Sequence, residues 1–273
     1  MTLHVVTANV NGIRAALRRG GLDWLAQCGA DLICLQEVRA TPAQVDEALG
    51  ASGLGGWHVA VADSVRGGHA GVALLSRHAL AEVRIGVGVE EFAEQGRWVE
   101  ASLTDPDPGT GADLRVASVY VHTGEPEGAR AEEKDRFLTA MGRWMADHAA
   151  GPALVCGDLN VAHTQADIKN WRGNRGKAGF LESERAHLDR WYAAPPEGPG
   201  WVDLGRQLGG DGPGPYTWWS WRGRGFDTDG GWRIDAVLAS PSMAARASGV
   251  TVHKAATYAE RWSDHAAVSA LFD

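Results

Sequence analysis

The 273-residue chain reads as an α/β protein of two packed sheets with helices outside. Three observations predict this. The first fifty residues alternate strand, helix, strand, helix. From Trp57 to Val121 short strand candidates follow one another through turn-rich links, which favours antiparallel pairing. After one long amphipathic helix the second half repeats the scheme more loosely. No low-complexity tract or linker interrupts the chain, so residues 1–273 are expected to form one domain.

The elements follow in order. Leu3 to Asn9 is a strand rich in β-branched residues. Leu17 to Gln27 suits a short helix interrupted at Gly20-Gly21. Asp31 to Gln36 is a buried strand with Glu37 at its end. Thr41, Pro42 and Gln44 occupy N-cap, N1 and N3 of the next helix, a capping-box pattern. Strands are expected at Trp57–Ala62, Gly71–Ser76, Glu82–Val87, Arg97–Leu103 and Leu114–Val121, with an exposed turn at Asp105–Gly109. Arg130 to Ala149 is helical, with Phe137, Met141 and Trp144 on one face. Leu154 to Cys156 is a short apolar run that Gly157 ends, followed by Asp158 and Asn160. If the chain stays extended there, both side chains share one side. An isolated Gly-Asp-x-Asn fits an Asx turn equally well. Glu182 to Ala193 reads as a helix and Pro195 to Gly200 as a loop. Strands are expected at Tyr216–Trp221, Trp232–Ala239, Val250–Lys254 and Ala266–Phe272.

A hydrophobic content of 44% and a charged content of 22% are ordinary for a globular protein. A net charge of −8 argues against an indiscriminate nucleic-acid binder. It leaves room for an enzyme whose acidic residues hold metal and whose basic residues sit on a few loops. Cys28, Cys34 and Cys156 lie in apolar contexts and read as reduced core thiols. The start MTLHVVTANV lacks the regions of a signal peptide, and no apolar run reaches the ~20 residues of a membrane span. A cytoplasmic enzyme with no membrane partner is expected.

Polar residues collect where apolar strands end: Asn9, Glu37, Tyr120, Asp158, Asn160, Asp235 and the pair Asp264-His265. Asp235 lies inside an apolar run and needs a partner, because an unpaired buried carboxylate is costly. Any one of these alone suits a cap or a turn. Together they suit metal-assisted phosphodiester hydrolysis, with carboxylates for Mg²⁺, amide and imidazole donors for phosphoryl oxygens, and a carboxylate to activate water.

Six segments in order carry a resemblance: Ala8–Ala15 (ANVNGIRA), Leu35–Glu37 (LQE), Gly71–Ser76 (GVALLS), Gly157–Asn160 (GDLN), Trp232–Asp235 (WRID) and Ser263–His265 (SDH). The chain resembles the exodeoxyribonuclease III family of AP endonucleases, within the endonuclease/exonuclease/phosphatase superfamily. The resemblance implies a four-layered α/β sandwich, two mixed sheets flanked by helices, with one active site at the sheet ends. It implies Asp158 as the water-activating carboxylate and Asn160 as the amide that stabilises the transition state. It implies His265 on the scissile phosphate, Asp235 as its partner, and Tyr120 as an active-site phenol whose role stays open. Asn9, Glu37, Asp158, Asn160, Asp264 and His265 would surround the ion, Mg²⁺ with Mn²⁺ as a substitute. One departure is the Val121-His122-Thr123-Gly124 segment, where the family commonly has Pro and then Asn or Gln before Gly. His122 is expected to be a surface loop residue.

Two segments suit substrate contact. Lys169–Lys177 is the most basic stretch, with aromatic and Gly residues interleaved, and suits backbone phosphates. Tyr216–Arg224 holds several tryptophans. With the resemblance, DNA contacts fall to Asn11, Arg14, Asn170, Arg172, Asn174, Arg175, Lys177, Trp218, Arg222, Trp232 and Ile234. Trp218 rather than Trp219 is expected to wall a pocket for a base-less sugar. The expected enzyme is a monomeric, Mg²⁺-dependent DNA-repair phosphodiesterase that cleaves 5′ to abasic sites and trims duplex DNA from 3′ ends. The alternatives are a superfamily phosphodiesterase or phosphatase for RNA or small phosphates, and a non-catalytic damage-binding protein.

Overall fold

The computed structural model describes residues 2–65, 67–103 and 113–273. The turn expected at Asp105–Gly109 lies outside the described residues. In chain order the elements are β1 (Leu3–Asn9), α1 (Ile13–Arg18), α2 (Gly21–Gln27), β2 (Leu32–Gln36), α3 (Pro42–Gly50), β3 (His58–Ala62), β4 (Val72–Ser76) and β5 (Leu80–Ile85). Then come β6 (Trp98–Leu103), β7 (Leu114–Tyr120), α4 (Ala129–His148), β8 (Ala153–Asp158), α5 (Glu182–Tyr192), β9 (Val202–Asp203) and α6 (Leu204–Gly209). The chain ends with β10 (Asp235–Ala239), α7 (Pro241–Ala244), β11 (Ala247–His253) and β12 (Ala267–Phe272).

One sheet runs β11-β12-β1-β2-β4-β3 and the other β5-β6-β7-β8-β10-β9. Each has a single parallel pair at its centre, β1 with β2 and β7 with β8, flanked by antiparallel pairs. Helices make the parallel crossovers, α1 and α2 in the first and α4 in the second, as parallel neighbours require. The strands expected between Trp57 and Val121 do pair antiparallel, but they divide between the two sheets.

Period-two alternation builds the layers. Val5, Leu32, Cys34, Leu74, Val116, Cys156 and Val268 point between the sheets. Val6, Ile33 and Leu75 point outward, under Ile13, Leu25 and Val45 of α1 to α3. Val119 and Val155 point outward from the other sheet, under Phe137, Met141 and Trp144 of α4. The result is the four-layered α/β sandwich. Each large apolar side chain so buried contributes about 1.5–3 kcal/mol. All three cysteines are free, Cys34 and Cys156 buried and Cys28 half-buried.

Several expectations need correction. The helix expected from Leu17 begins at Ile13, and the expected interruption is a full break into two helices, Gly20 taking a left-handed φ of 78° between them. β5 starts two residues early. The segment Tyr216–Trp221 forms no strand, only isolated bridges from Trp218 to Trp232 and His265. The strand expected from Trp232 begins at Asp235. His122 is buried rather than at the surface, with Nε2–H donating to Arg130 O at 3.2 Å. The Thr41 capping box of α3 is present as the sequence indicated.

Gly157 does not end its strand. β8 continues through it to Asp158, paired with Tyr120 of β7. A Cβ at Gly157 would lie 2.0 Å from Val119 O, inside van der Waals contact with backbone that cannot yield. Gly157→Ala should therefore destabilise the protein by about 3 kcal/mol or more, roughly 6–12 °C in Tm. An unchanged melting curve would show that the two central strands separate freely at this point.

Candidate active site

Parallel strands place ligand sites beyond their carboxyl ends. Both parallel pairs of this fold end at the same place. Asn9 closes β1, Glu37 follows β2, Tyr120 closes β7 and Asp158 closes β8. Asn9 Nδ2 donates to Glu37 Oε1 at 2.8 Å and to Asp158 Oδ2 at 2.9 Å, tying the two sheets together. Ser263 Oγ donates to Asn9 O at 2.7 Å and brings in the segment before β12.

Asp158 and Asn160 converge by a turn, not by continued extension. Asn160 has a left-handed φ of 47°, and its N–H donates to Asp158 Oδ1 at 2.9 Å. Its Nδ2 donates to Val121 O at 2.7 Å and Asp158 Oδ2 at 3.2 Å. Both readings of Gly-Asp-x-Asn hold at once: an Asx turn supplies the geometry that aims the amide at the carboxylate.

Asp235 pairs with Asp158 across β10 and β8, and its partner is His265. The Nδ1–H of His265 donates to both Asp235 oxygens, at 2.9 and 3.1 Å. His265 Nε2 lies 3.9 Å from Asp158 Oδ2. Burial alone would lower the His265 pKa, but the Asp235 carboxylate and its hydrogen bond overcome this and lift it to about 10. His265 is an imidazolium at neutral pH. Burial pushes Asp158 up to about 8, Asp235 and Glu37 adding repulsion and His265 opposing it. Burial, with Glu37 and Asp158, keeps the Tyr120 phenol neutral; the Arg97 guanidinium, 5.3 Å above its ring, opposes only in part.

A carboxylate oxygen each of Glu37 and Asp158 and a ring nitrogen of His265 lie within 4.8 Å of one another; the two carboxylates can hold a metal ion, whereas His265 as an imidazolium has no lone pair to offer. The chemistry fits a hard divalent cation on the two carboxylates, since such a charge offsets the burial that lifts Asp158 and the lesser repulsion from Glu37. Cationic His265 adds an N–H donor to this group. Asn9 and Asn160 meet it through their NH₂ groups. Asp264 lines the same cleft; Asn11 Nδ2 donates to its Oδ1 at 2.6 Å and Trp218 Nε1 to its Oδ2 at 3.2 Å.

A cleft of about 400 Å³ opens over these groups. Trp218, Trp232 and Ile234 line one side, and Asn174 and Lys177 another. The Trp218 and Trp232 rings meet edge to face at 6.3 Å. Trp219 is 1% exposed and packs in a separate core cluster with Phe226. Arg233, between the two pocket residues, points the other way into ion pairs with Asp167 and Asp203. Of the other residues expected to touch DNA, Arg14, Asn170, Arg172, Arg175 and Arg222 are exposed and do not line the cleft. Asn170 O accepts from Asn174 Nδ2, bracing the basic loop. Arg172 and Arg175 both stack on Trp171, at 4.5 and 4.6 Å.

Sequence reasoning missed Arg39, which lines the cleft and pairs with Glu37. It also missed Lys134, for which a signal existed. Lys134 precedes Phe137 by three residues and Met141 by seven, a charge on an apolar helix face.

Residues 6–265 match the Endonuclease/Exonuclease/phosphatase family. The chain is 32% identical over 243 residues to an exodeoxyribonuclease of Bacillus subtilis, covering 88% of this chain and 89% of that one. It superposes on a 3′ phosphatase from Neisseria bound to a product DNA hairpin with a TM-score of 0.84, at 28% identity over 99% of both chains. It superposes on an AP endonuclease from Archaeoglobus fulgidus with a TM-score of 0.81, at 26% identity over 99% of both. The site and these likenesses agree: the chain belongs to the Endonuclease/Exonuclease/phosphatase family, with the exodeoxyribonucleases and AP endonucleases.

Proposed function

We propose that this protein is a Mg²⁺-dependent DNA-repair phosphodiesterase that cleaves the backbone 5′ to abasic sites and removes nucleotides from 3′ ends of duplex DNA. The observation that carries the reading is Asp158 set between an amide, Asn160, and an imidazolium, His265, at the mouth of an aromatic-walled cleft. Mg²⁺, with Mn²⁺ as a substitute, would be held by Glu37 and Asp158 and would supply Lewis-acid charge neutralisation at the phosphate. Asp158 accepts the proton of the attacking water. The water oxygen bonds to phosphorus while the bond from phosphorus to the 3′ oxygen breaks; the departing oxygen takes a proton from solvent, leaving a 3′ hydroxyl and a 5′ phosphate. The His265 Nε2–H donates to phosphoryl oxygens where negative charge grows, and the Asn160 amide exchanges its long bond to Asp158 for one to the phosphate, keeping the bond to Val121 O. Tyr120, held neutral, is a hydrogen-bond donor. Lys177 and Asn174 meet the DNA backbone at the cleft rim, and Arg172, Arg175, Asn170, Arg14 and Arg222 contact phosphates farther out.

No helix among the described residues is long and apolar enough to cross a membrane. We place the protein in the cytoplasm as one monomeric domain. The deciding experiment incubates it with a duplex carrying one tetrahydrofuran abasic analogue, with and without Mg²⁺, and resolves the products by size. A single Mg²⁺-dependent cut 5′ to the lesion is expected. Turnover only of RNA or inositol phosphates would move it elsewhere in the superfamily, and tight binding without cleavage would make it a damage-binding protein.

The pocket walls have their own test. A base-less sugar is small and partly apolar, and it flips out of the helix at less cost than a paired base. Trp218, Trp232 and Ile234 would accept it and exclude an intact nucleotide. Trp232→Ala and Trp218→Ala should each lower the preference for abasic duplex over undamaged ends by about tenfold, about 1.4 kcal/mol of discrimination. Proportional loss of both activities with a lower melting temperature would mean that these rings serve packing alone.

A further inference from the structure

We propose that Lys134 is a positioning residue for Asn160, acting on the reaction through the backbone of the catalytic turn. The inference rests on the reading of the site given above. Lys134 lies on α4 and is 1% exposed, so its ammonium touches neither solvent nor substrate. An ammonium has three N–H donors, and all three are placed. Nζ donates to Asn160 O at 3.0 Å, to Thr123 O at 3.0 Å and to Glu184 Oε1 at 2.7 Å.

The three acceptors come from three different places. Thr123 follows β7, which ends in Tyr120. Asn160 follows β8, which ends in Asp158. Glu184 sits in the first turn of α5, where its second oxygen accepts from Leu181 N at 3.0 Å. One buried charge therefore joins the two catalytic loops to each other and to a helix start. The room for it is made at Gly124, the residue of this segment that keeps the family pattern. A Cβ on Gly124 would lie 2.9 Å from Lys134 Cδ. Gly124, with φ 77°, leaves that space open.

The consequence falls on Asn160. A non-glycine residue in the left-handed region persists only where its surroundings over-determine it. Asn160 is held at three points: its N–H by Asp158, its side-chain NH₂ by Val121 O and Asp158, and its carbonyl by Lys134. Val121 and Thr123 belong to one loop, so Lys134 also steadies the acceptor that orients the Asn160 amide. Without the ammonium, two backbone carbonyls and a buried carboxylate lose their donor, and the turn loses its fixed direction. An amide displaced by about 1 Å from its productive position costs about 10²-fold in rate.

The test is a double-mutant cycle on abasic duplex with Mg²⁺. Asn160→Gly removes the amide without backbone strain, because Gly accepts a positive φ. Lys134→Met should lower kcat about 30-fold with KM changed less than about twofold. In the Asn160→Gly background the same change should lower kcat less than about threefold, because residues acting as a unit are non-additive. Equal losses in both backgrounds would overturn the proposal and leave Lys134 as a brace for the fold. If Lys134→Met does not fold, Lys134→Gln, whose shorter neutral side chain stops short of the Nζ position, decides by the same cycle. A readout without turnover stands beside it. The side-chain NH₂ resonances of Asn160, assigned by their loss in Asn160→Gly, should shift and broaden in the Lys134 variant. Unmoved resonances would also overturn it. Failure of the wild-type enzyme to cut would strike the reading of the site, an outcome distinct from an additive cycle in an active enzyme.

Discussion

Asp235→Asn should lower turnover about 10³-fold while the protein stays folded, the scale expected when a preorganised charge is lost from a buried site. Asp235 is the partner that keeps His265 cationic, lifted from 6.5 to about 10 against the opposing effect of burial. With a neutral amide there, the carboxylate that most raises the imidazole pKa is gone, and burial lowers it against only Asp158 and Asp264. At neutral pH its Nε2 then no longer carries a guaranteed proton toward the phosphate. The alkaline limb of the kcat profile should move down from near pH 10 in the wild type. The stability sign follows from the same shift. A folded-state pKa above the unfolded one stabilises fully below pH 6.5, and that stabilisation is lost as pH rises through about 10. The variant should therefore be less stable than wild type at pH 6, with the gap closing as pH approaches 10. His265→Ala should lose a similar factor in rate, and the double variant little more. Fully additive losses would mean that the two residues act separately.

Glu37→Gln should lower the rate about 10²–10³-fold at fixed Mg²⁺ and raise the Mg²⁺ needed for half-maximal activity at least about tenfold. Mg²⁺ takes one or two protein carboxylates, so removing one of Glu37 and Asp158 removes half of the charge that would hold it. Gln keeps the shape and the contact with Asn9 Nδ2, so the fold should persist. An unchanged Mg²⁺ titration would show that Glu37 serves only to hold Arg39 and Asn9.

What was legible in the sequence was local. Each strand in the catalytic centre is an apolar run ended by a polar residue, and backbone alternation converts that pattern into buried faces with a functional tip. Asn9, Glu37 and Tyr120 stand at or just past strand ends, where this reasoning put them; Asp158 instead closes a strand that runs on through Gly157, and Asp235 opens β10 rather than lying inside it. The α3 cap was legible because Thr41, Pro42 and Gln44 interact within one turn. The alternation around Arg233 also held, sending Trp232 and Ile234 to the cleft and Arg233 away from it.

Tertiary structure decided the rest, because the partners are far apart along the chain. Nothing near Gly157 announces that Val119 O crowds it, so a glycine that permits close strand pairing read as a strand terminator. Trp218 and Trp219 are neighbours of one residue type; only the bridges from Trp218 to Trp232 and His265 place one in the cleft and the other in a core. His122 looked like a surface residue until the start of α4 covered it. Lys134 carried a hint in its helical spacing, but its acceptors at Thr123, Asn160 and Glu184 come from two loops and a helix start that only the packed sheets and helices bring within 3.0 Å. Hydrophobic periodicity is a property of neighbours and survives in one dimension. The meeting of Ser263 with Asn9, 254 residues apart, depends on strand order and register, which the whole core sets at once.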